Sequence, residues 1–362
     1  MKKIQIALVS KEALPVFYII NEFGPNEVYL VGTKESSTSI ANIKRVAASM
    51  GIECQICLTK PNDMQDTMEV CEAIHTQNGD DCEYRYNLTG GTKLMAIGAL
   101  LCAQSHKAEM VYSETKSYYD MKAMEWKPLT QMLDIDTIIR LQGQIVKDKT
   151  VYRYDEERTQ CAKDIMAFEK SSPKLYHQLV DFYIKYNRAP RDYDNKPFAF
   201  YMEDGSVEYN GKIVFESPYK RVYDMLFKGQ WWETLVADAV AKGTGPDSEI
   251  WTNVRFEPKE KANGRNYDKN EIDVLVNIGN ILLFVECKSG AFTQDNIYKL
   301  NSVANTYGSY KSNSVLVEYS KQFIRYDLEE KAKEANIEIL VPNKKFSNVA
   351  EVLTEIVNSK KA

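Results

Sequence analysis

The side chains best suited to chemistry in this sequence are Asp273, Glu286 and Lys288, which lie in one short stretch of the C-terminal half. Two carboxylates held close together repel each other, and their burial is costly unless a cation joins them. Mg²⁺ and Mn²⁺ are the obvious candidates, because hard divalent cations prefer carboxylate oxygen. The three residues therefore predict a metal site beside a lysine, although a purely structural ion cluster would show the same pattern.

The residues between them predict how these side chains are brought together. Two apolar runs flank Gly279-Asn280, a pair suited to a two-residue hairpin turn because both residues tolerate positive φ. That register places Asp273 opposite Glu286, with Cβ atoms roughly 4.5–5.5 Å apart. Alternation along the strand then puts Lys288 on the same face.

A helix before the hairpin offers a third acid, Glu233, at the edge of an apolar stripe that faces the hairpin. An acid on a helix, an aspartate, a hairpin and Glu-x-Lys resemble the PD-(D/E)xK superfamily of restriction-endonuclease-like proteins. The resemblance implies that Glu233, Asp273 and Glu286 bind the metal and that Lys288 positions the attacking water. The proline of the motif's name is absent, since Ile272 precedes Asp273.

The first half alternates short β-rich segments with single helical patterns, which predicts right-handed βαβ units and a parallel, Rossmann-like sheet. A hairpin at 118–129 is expected to close this domain. Such sheets bind ligands at the carboxyl ends of their strands. The predicted strands are 4–10, 27–33, 52–58, 83–88 and 108–113, and the predicted helices are 13–23, 39–50, 64–76 and 92–105.

The turn after the fourth predicted strand has the sequence Asn87-Leu88-Thr89-Gly90-Gly91-Thr92-Lys93. Its glycines allow backbone N–H groups to approach an anion at a helix N-terminus, where the helix dipole favours negative charge. The spacing is neither that of a Walker A loop nor that of a dinucleotide-binding turn. In isolation it would fit a simple tight turn between a strand and a helix.

In its Rossmann-like context, N-x-T-G-G-T-K resembles a CARF domain, the sensor of type III CRISPR defence. The resemblance, together with the nuclease motif, extends to CRISPR ancillary nucleases that join the two domains in one chain. It implies a homodimer, cyclic tetra-adenylate as the activator, and cleavage of single-stranded DNA and RNA. The implied effector-binding residues are Asn87, Thr89, Gly90, Gly91, Thr92 and Lys93 by motif, and Ser10, Lys11, Glu12, Gly32 and Thr33 by topology.

We therefore expect an α/β protein with a CARF domain at 1–150, a connector at 151–220 that resembles a winged helix, and a nuclease domain at 221–362. The segment 133–146 is predicted to be an extended linker, the helices of the connector to span 156–169 and 173–186, and a hairpin to span 198–215. After Lys288 we expect a helix, a strand, a helix, a strand and a last helix at 346–358. Basic residues before the hairpin form either a track for a phosphate backbone or a solvated loop; they are Arg255, Lys259, Lys261, Arg265 and Lys269.

The composition fits this interpretation. The chain has 362 residues, of which 44% are hydrophobic and 27% charged, with a net charge of −5, which argues against a broad nucleic-acid-coating surface. No signal peptide or membrane-spanning run is evident, and seven scattered cysteines fit a reducing cytoplasm. The histidines, His75, His106 and His177, are far apart in sequence, so histidine-based metal chemistry is not expected.

The leading hypothesis is thus a cytoplasmic, effector-activated endonuclease that depends on Mg²⁺ or Mn²⁺ and acts in antiviral defence. Three alternatives remain. The chain could be a CARF sensor that recruits partners, or a restriction or repair nuclease that needs no effector, or a protein whose first domain degrades its own ligand.

Overall fold

The computed structural model describes residues 1–245, 248–257, 271–309 and 311–343, and near the C-terminus residues 346, 348–349, 351–352 and 355. The predicted helix at 346–358 lies largely outside these residues. So do four members of the predicted basic track, which are Lys259, Lys261, Arg265 and Lys269. Arg255 is described, and its guanidinium lies 3.5 Å from the carboxylate of Glu271.

The N-terminal part has the expected alternation of strands and helices. Its elements are β1 (Lys2–Leu8), α1 (Leu14–Phe23), β2 (Glu27–Gly32), α2 (Ser37–Ser49), β3 (Glu53–Leu58), α3 (Met64–Asn78), β4 (Cys82–Asn87), α4 (Lys93–Ser105), β5 (Glu109–Ser113), β6 (Ser117–Asp120) and β7 (Glu125–Pro128). They form a seven-stranded sheet of order β3-β2-β1-β4-β5-β6-β7. The first five strands of that order are parallel, and β6 and β7 add an antiparallel hairpin, so the Rossmann-like prediction is confirmed.

The segment 133–146 is not extended, which corrects the prediction of a linker strand. It contains the helix α5 (Ile135–Leu141), whose N-cap Asp134 accepts a hydrogen bond from the N–H of Thr137 at 2.6 Å. Its isoleucines favour a strand when considered singly, but Ile135, Ile138 and Ile139 are spaced to bury one helical face. Aspartate at the cap position was the available indication.

The central part contains β8 (Val146–Val151), α6 (Glu156–Ser171), α7 (Pro173–Tyr186), β9 (Phe198–Tyr201), β10 (Ser206–Tyr209), β11 (Lys212–Phe215) and α8 (Val222–Phe227). Strands β9 to β11 form a separate antiparallel sheet of three strands, where the sequence predicted one hairpin. The additional turn lies at Asn210-Gly211, and both residues have positive φ.

The C-terminal part contains α9 (Gln230–Thr244), β12 (Glu249–Phe256), β13 (Glu271–Asn277), β14 (Leu282–Lys288), α10 (Gln294–Tyr307), β15 (Asn313–Glu318), α11 (Tyr326–Glu334) and β16 (Ile337–Leu340). Its mixed sheet has the order β16-β15-β14-β13-β12-β8. Strands β14, β15 and β16 are parallel, and the remaining neighbours are antiparallel. Strand β8 therefore belongs to this sheet, although it precedes the whole connector.

Three hydrophobic cores hold these layers together. One lies between β1–β5 and the helices α3 and α4. A second includes α1, α2 and α5 and continues to the face of the C-terminal sheet that α10 covers. The third joins α6, α7 and the three-stranded sheet to α9 and the other face of the C-terminal sheet. The candidate active-site hairpin is thus buried on both faces, by α10 on one and by α9 with the connector on the other.

Candidate active site and effector pocket

The hairpin that carries the predicted acids has the expected turn and register. Gly279 and Asn280 have φ of 61° and 67°, and Ile278 and Ile281 exchange both backbone hydrogen bonds across them, at 2.9 and 3.4 Å. Strands β13 and β14 then pair from Asn277 with Leu282 as far as Val274 with Val285. The prediction of a two-residue loop is confirmed.

Backbone pairing between β13 and β14 ends at Val274 and Val285. Asp273 and Glu286, the predicted pair, are the next residues and lie just beyond the paired ladder. Asp273 accepts a hydrogen bond on Oδ2 from the N–H of Cys287 at 2.6 Å, so its carboxylate satisfies the backbone of the opposite strand. Glu286 is buried, and its Oε1 lies 2.7 Å from Nζ of Lys288. The acid and the lysine of the Glu-x-Lys motif therefore form an ion pair on one face of β14.

Burial and, secondly, the charge of neighbouring acids raise the pKa of two carboxyl groups in this cluster. Burial and then the charge of Glu286 raise the pKa of Asp273 to about 7. Burial and then the charge of Asp273 raise the pKa of Glu233 to about 8. Burial would lower the pKa of Lys288, but Glu286 and Asp273 outweigh it and raise that pKa. The site has an excess of negative charge that one lysine does not neutralise, as expected of carboxylates arranged for a cation.

A further acid, Glu318, lies next to this cluster and was not identified from the sequence. Lys288 and Glu318 are register partners in the parallel ladder of β14 and β15. Glu318 is fully buried, burial raises its pKa to about 7, and its Oε2 has no hydrogen-bond partner among the described residues. Lys288 therefore stands between two acids, Glu286 along its own strand and Glu318 on the neighbouring one.

Glu233 opens onto a cavity of about 80 Å³ between α9, β12 and the connector. Two arginines from outside the predicted nuclease motif line the same cavity, Arg158 on α6 and Arg221 just before α8. Arg158 donates to the carbonyl of Arg153 at 2.7 Å, and Arg221 lies 3.5 Å from Asp224. No sequence pattern indicates this proximity, because the arginines are brought to Glu233 only by the packing of α6 and α8 against α9.

The donor set fits a hard divalent cation, since Asp273, Glu286 and Glu233 offer carboxylate oxygens and two of the three have raised pKa values. Over the described residues, their oxygen atoms are not all within 4.8 Å of one another. Asp273 is engaged with Cys287, and Glu286 with Lys288. Joint binding of one ion therefore requires at least one of these side chains to change rotamer.

The predicted effector turn follows β4 at the carboxyl end of the N-terminal sheet. Asn87 is buried and accepts hydrogen bonds from the N–H of Thr89 at 3.1 Å and from its hydroxyl at 2.5 Å. The Thr89 hydroxyl also accepts from the N–H of Ser113 at 2.7 Å. Through these hydrogen bonds, Asn87 and Thr89 hold the turn against Ser113 at the end of β5.

The rest of the turn is shaped by close backbone contact and by a helix cap. A Cβ on Gly90 would lie 2.0 Å from the carbonyl oxygen of Leu8, so only glycine fits there. Thr92 caps α4 by accepting from the N–H of Met95 at 3.3 Å, and its hydroxyl donates to the carbonyl of Pro61. Lys93, the first residue of α4, is exposed.

A cavity of about 190 Å³ adjoins this turn, and only some of the predicted effector residues line it. Ser10, Glu12 and Thr89 do so, together with Ser113, Thr115 and Lys311, which the sequence did not indicate. Lys311 follows the C-terminal helix α10, and its ammonium lies 2.8 Å from Glu114. The other predicted effector residues do not line this cavity; they are Lys11, Gly32, Thr33, Asn87, Gly90, Gly91, Thr92 and Lys93.

Comparison with known families agrees with this division of the chain. The family model described as the Card1 CARF domain matches residues 4–141. The family model described as Card1-like, endonuclease domain, matches residues 221–359. The chain therefore combines a Card1-type CARF domain with a Card1-like endonuclease domain in one polypeptide. No curated protein matches the chain.

Solved structures share the fold over nearly the whole chain. Can2 from Sulfobacillus thermosulfidooxidans, in complex with cyclic tetra-adenylate, is 16% identical with a TM-score of 0.73 and covers 98% of this chain and 99% of its own. Protein VC1899 from Vibrio cholerae is 14% identical with a TM-score of 0.73, and covers 99% and 98%. A type III CRISPR defence DNA nuclease activated by cyclic oligoadenylate is 16% identical with a TM-score of 0.59, and covers 88% and 45%.

Within the described residues, no helix combines the length and the apolar character needed to cross a bilayer.

Proposed function

We propose that the protein is an endonuclease that requires Mg²⁺ or Mn²⁺, is activated by cyclic tetra-adenylate, and cleaves single-stranded DNA and RNA in type III CRISPR antiviral defence. We propose the expected division into a sensor at 1–150, a connector at 151–220 and a nuclease at 221–362, with the amendment that β8 (Val146–Val151) completes the nuclease sheet. The observation that carries the proposal is the convergence of Asp273, Glu286, Lys288 and Glu233 at one end of the hairpin, with the pKa values of Asp273 and Glu233 raised.

Each side chain has a role consistent with its contacts. Asp273, Glu286 and Glu233 would hold the metal, which supplies a Lewis acid to the scissile phosphate and lowers the pKa of a bound water. Lys288, held by Glu286 at 2.7 Å, orients the attacking water and stabilises negative charge that develops on the phosphate. Arg158 and Arg221, on the cavity of Glu233, bind the phosphates of the strand to be cut.

Activation is proposed to proceed through a homodimer of the sensor domain. Helix α4, which begins with Lys93, exposes Leu94, Ile97 and Leu101 on one side, and such an apolar stripe suits a second copy. A cyclic ligand bound next to the turn at Thr89 would then contact both protomers. The extent of activation is then set by how much more tightly the ligand binds the active arrangement of the dimer than the inactive one.

The test is cleavage of unpaired DNA and RNA by the purified full-length protein, with and without cyclic tetra-adenylate and with EDTA. We expect cleavage only with the activator and the metal, and its loss in Glu286→Gln. Glu338→Gln, an exposed carboxylate of β16, is the matched control and should remain active. Cleavage that persists in EDTA and in Glu286→Gln would overturn the metal site. Binding of the activator without cleavage would instead indicate a sensor that recruits partners.

A further inference from the structure

A second group of metal-binding side chains lies in the N-terminal domain, on the face of the sheet covered by α3 and α4. The donor atoms of His75, Cys102 and His106 all lie within 4.8 Å of one another. His75 and Cys102 are buried, whereas His106 is exposed. The histidines were not expected to form a metal site, because thirty residues of sequence and a whole strand separate them.

The spacing of these residues repeats on the two helices. Cys71 and His75 are one turn apart on α3, and Cys102 and His106 are one turn apart at the end of α4. A separation of four residues places both side chains on one face of a helix. Because α3 and α4 pack against each other, the two pairs lie on the facing sides of these helices.

The immediate surroundings provide the contacts that usually orient metal ligands. Glu72 accepts a hydrogen bond on Oε1 from the Cys102 thiol at 3.3 Å, and its Oε2 lies 2.7 Å from Nε2 of His106. A carboxylate bonded to a ligating histidine is a common supporting contact in zinc proteins. The Tyr86 hydroxyl lies between the other two donors, 2.9 Å from Nε2 of His75 and 3.4 Å from the sulfur of Cys102.

We propose that His75, Cys102 and His106 form a zinc site that clamps α3 to α4. Thiolate and imidazole donors select Zn²⁺ over the hard cations that suit the nuclease carboxylates. The rings of His75 and His106 are stacked 3.7 Å apart and within 8° of parallel, an orientation in which their lone pairs do not converge. His106 therefore rotates on binding, which its exposed position permits.

The proposed zinc site would hold the C-terminal end of α4, the helix that follows the effector turn. Helix α4 runs from Lys93, next to Thr92, to the cap residue His106. A clamp at its far end restrains the angle at which the N-terminal turn of α4 is presented. Zinc is thus expected to stabilise the sensor domain without touching the nuclease carboxylates.

Cobalt is the probe, because a thiolate bound to Co²⁺ gives a charge-transfer band that carboxylate ligands do not give. Untagged full-length protein is reduced, freed of metal and titrated with Co²⁺, and Zn²⁺ is then added to displace it. We expect one Co²⁺ per chain with a thiolate band that Zn²⁺ abolishes. Zn²⁺ should also raise the Tm. The same titration in Glu286→Gln keeps the thiolate band, which separates this site from the nuclease.

Two variants and their controls decide the assignment. His106→Gln alters an exposed side chain and leaves the core intact, and Cys102→Ser removes the buried thiolate. Each is expected to weaken Co²⁺ binding by at least ~10-fold. His177→Gln, also at an exposed histidine, and Cys161→Ser, also at a buried helical cysteine, should bind as the unaltered protein does. Absence of a thiolate band, or a band that survives in both His106→Gln and Cys102→Ser, would overturn the proposal.

Discussion

Asn280, in the turn of the candidate active-site hairpin, donates a hydrogen bond from Nδ2 to the carbonyl oxygen of Thr115 at 3.0 Å. Its Oδ1 accepts from the N–H of Leu133 at 2.8 Å, and the side chain is buried. Thr115 lines the cavity beside the effector turn, whereas Asp273 and Glu286 lie on the two strands that Asn280 joins. One side chain therefore connects the sensor domain to the element that carries the acids.

The first prediction concerns this connection. Asn280→Gly keeps the positive φ of the turn but removes both hydrogen bonds, which should cost about 1–3 kcal/mol of the free energy of unfolding. We expect binding of cyclic tetra-adenylate to persist while the activation of cleavage declines. Asn210→Gly, in the turn between β10 and β11, is the control with the same substitution at another positive φ. Equal activation of both variants would show that the Asn280 contacts do not carry the activating signal from the bound effector to the nuclease site.

The second prediction concerns pH. Asp273 and Glu233 have folded-state pKa values raised to about 7 and about 8. The folded state therefore binds more protons than the unfolded state above the ordinary carboxyl pKa, so the metal-free protein loses stability as the pH rises through this window. We expect the Tm in EDTA to fall between about pH 5 and about pH 9.

Asp273→Asn should flatten that fall, because it removes the charge while its amide oxygen still accepts the hydrogen bond from Cys287. Glu338→Gln should leave the slope unchanged. A Tm that rises with pH in the metal-free protein, or one unaffected by Asp273→Asn, would contradict the electrostatics described for the site. Mg²⁺ or Mn²⁺ should recover most of the loss by binding the ionised acids.

The third prediction concerns Arg221, the residue just before α8. If Arg221 contacts a backbone phosphate of the substrate, Arg221→Gln should weaken binding of single strands of any sequence. The slope of the logarithm of affinity against the logarithm of salt concentration should become shallower by about one. Binding is measured in a Glu286→Gln background at several salt concentrations. Arg325→Gln is the control, since Arg325 is also exposed and paired with a nearby acid, Asp327. An identical salt dependence in both variants would exclude Arg221 from the interface.

The fourth prediction concerns the effector turn. Lys93 is exposed at the first position of α4, where it can reach an anionic ligand without supporting the fold. Lys93→Gln should weaken binding of cyclic tetra-adenylate about 10-fold or more, the value of a charge-assisted hydrogen bond, and leave the Tm unchanged. Lys44→Gln, at an exposed lysine of α2, should bind normally. Calorimetric titration distinguishes the two, and equal affinities would exclude Lys93 from binding of the activator.

Features that depend on local chemistry could be predicted from the sequence. The hairpin register follows from two residues that tolerate positive φ, and the parallel sheet follows from the alternation of its elements. Helix α5 was missed because its isoleucines favour strands individually, whereas its spacing and its Asp134 cap favour a helix.

Features that depend on tertiary packing could not be predicted. The arginines at Glu233, the partnership of Glu318 with Lys288, and the contact between His75 and His106 each join segments that are distant in the sequence. No local pattern carries such information. The end of the ladder before Asp273 is of the same kind, because there the N–H of Cys287 donates to the carboxylate of Asp273 and not to a backbone carbonyl of β13.

Strand β8 has a practical consequence for work on the catalytic half alone. A fragment that starts at residue 221 would lack β8 and would leave β12 as a bare edge, with Trp251 losing Lys149, whose ammonium lies 3.2 Å from the centre of its ring. An uncovered strand of this kind recruits other chains. Such a fragment is therefore expected to self-associate, and a shortened enzyme should retain the chain from Val146 onward.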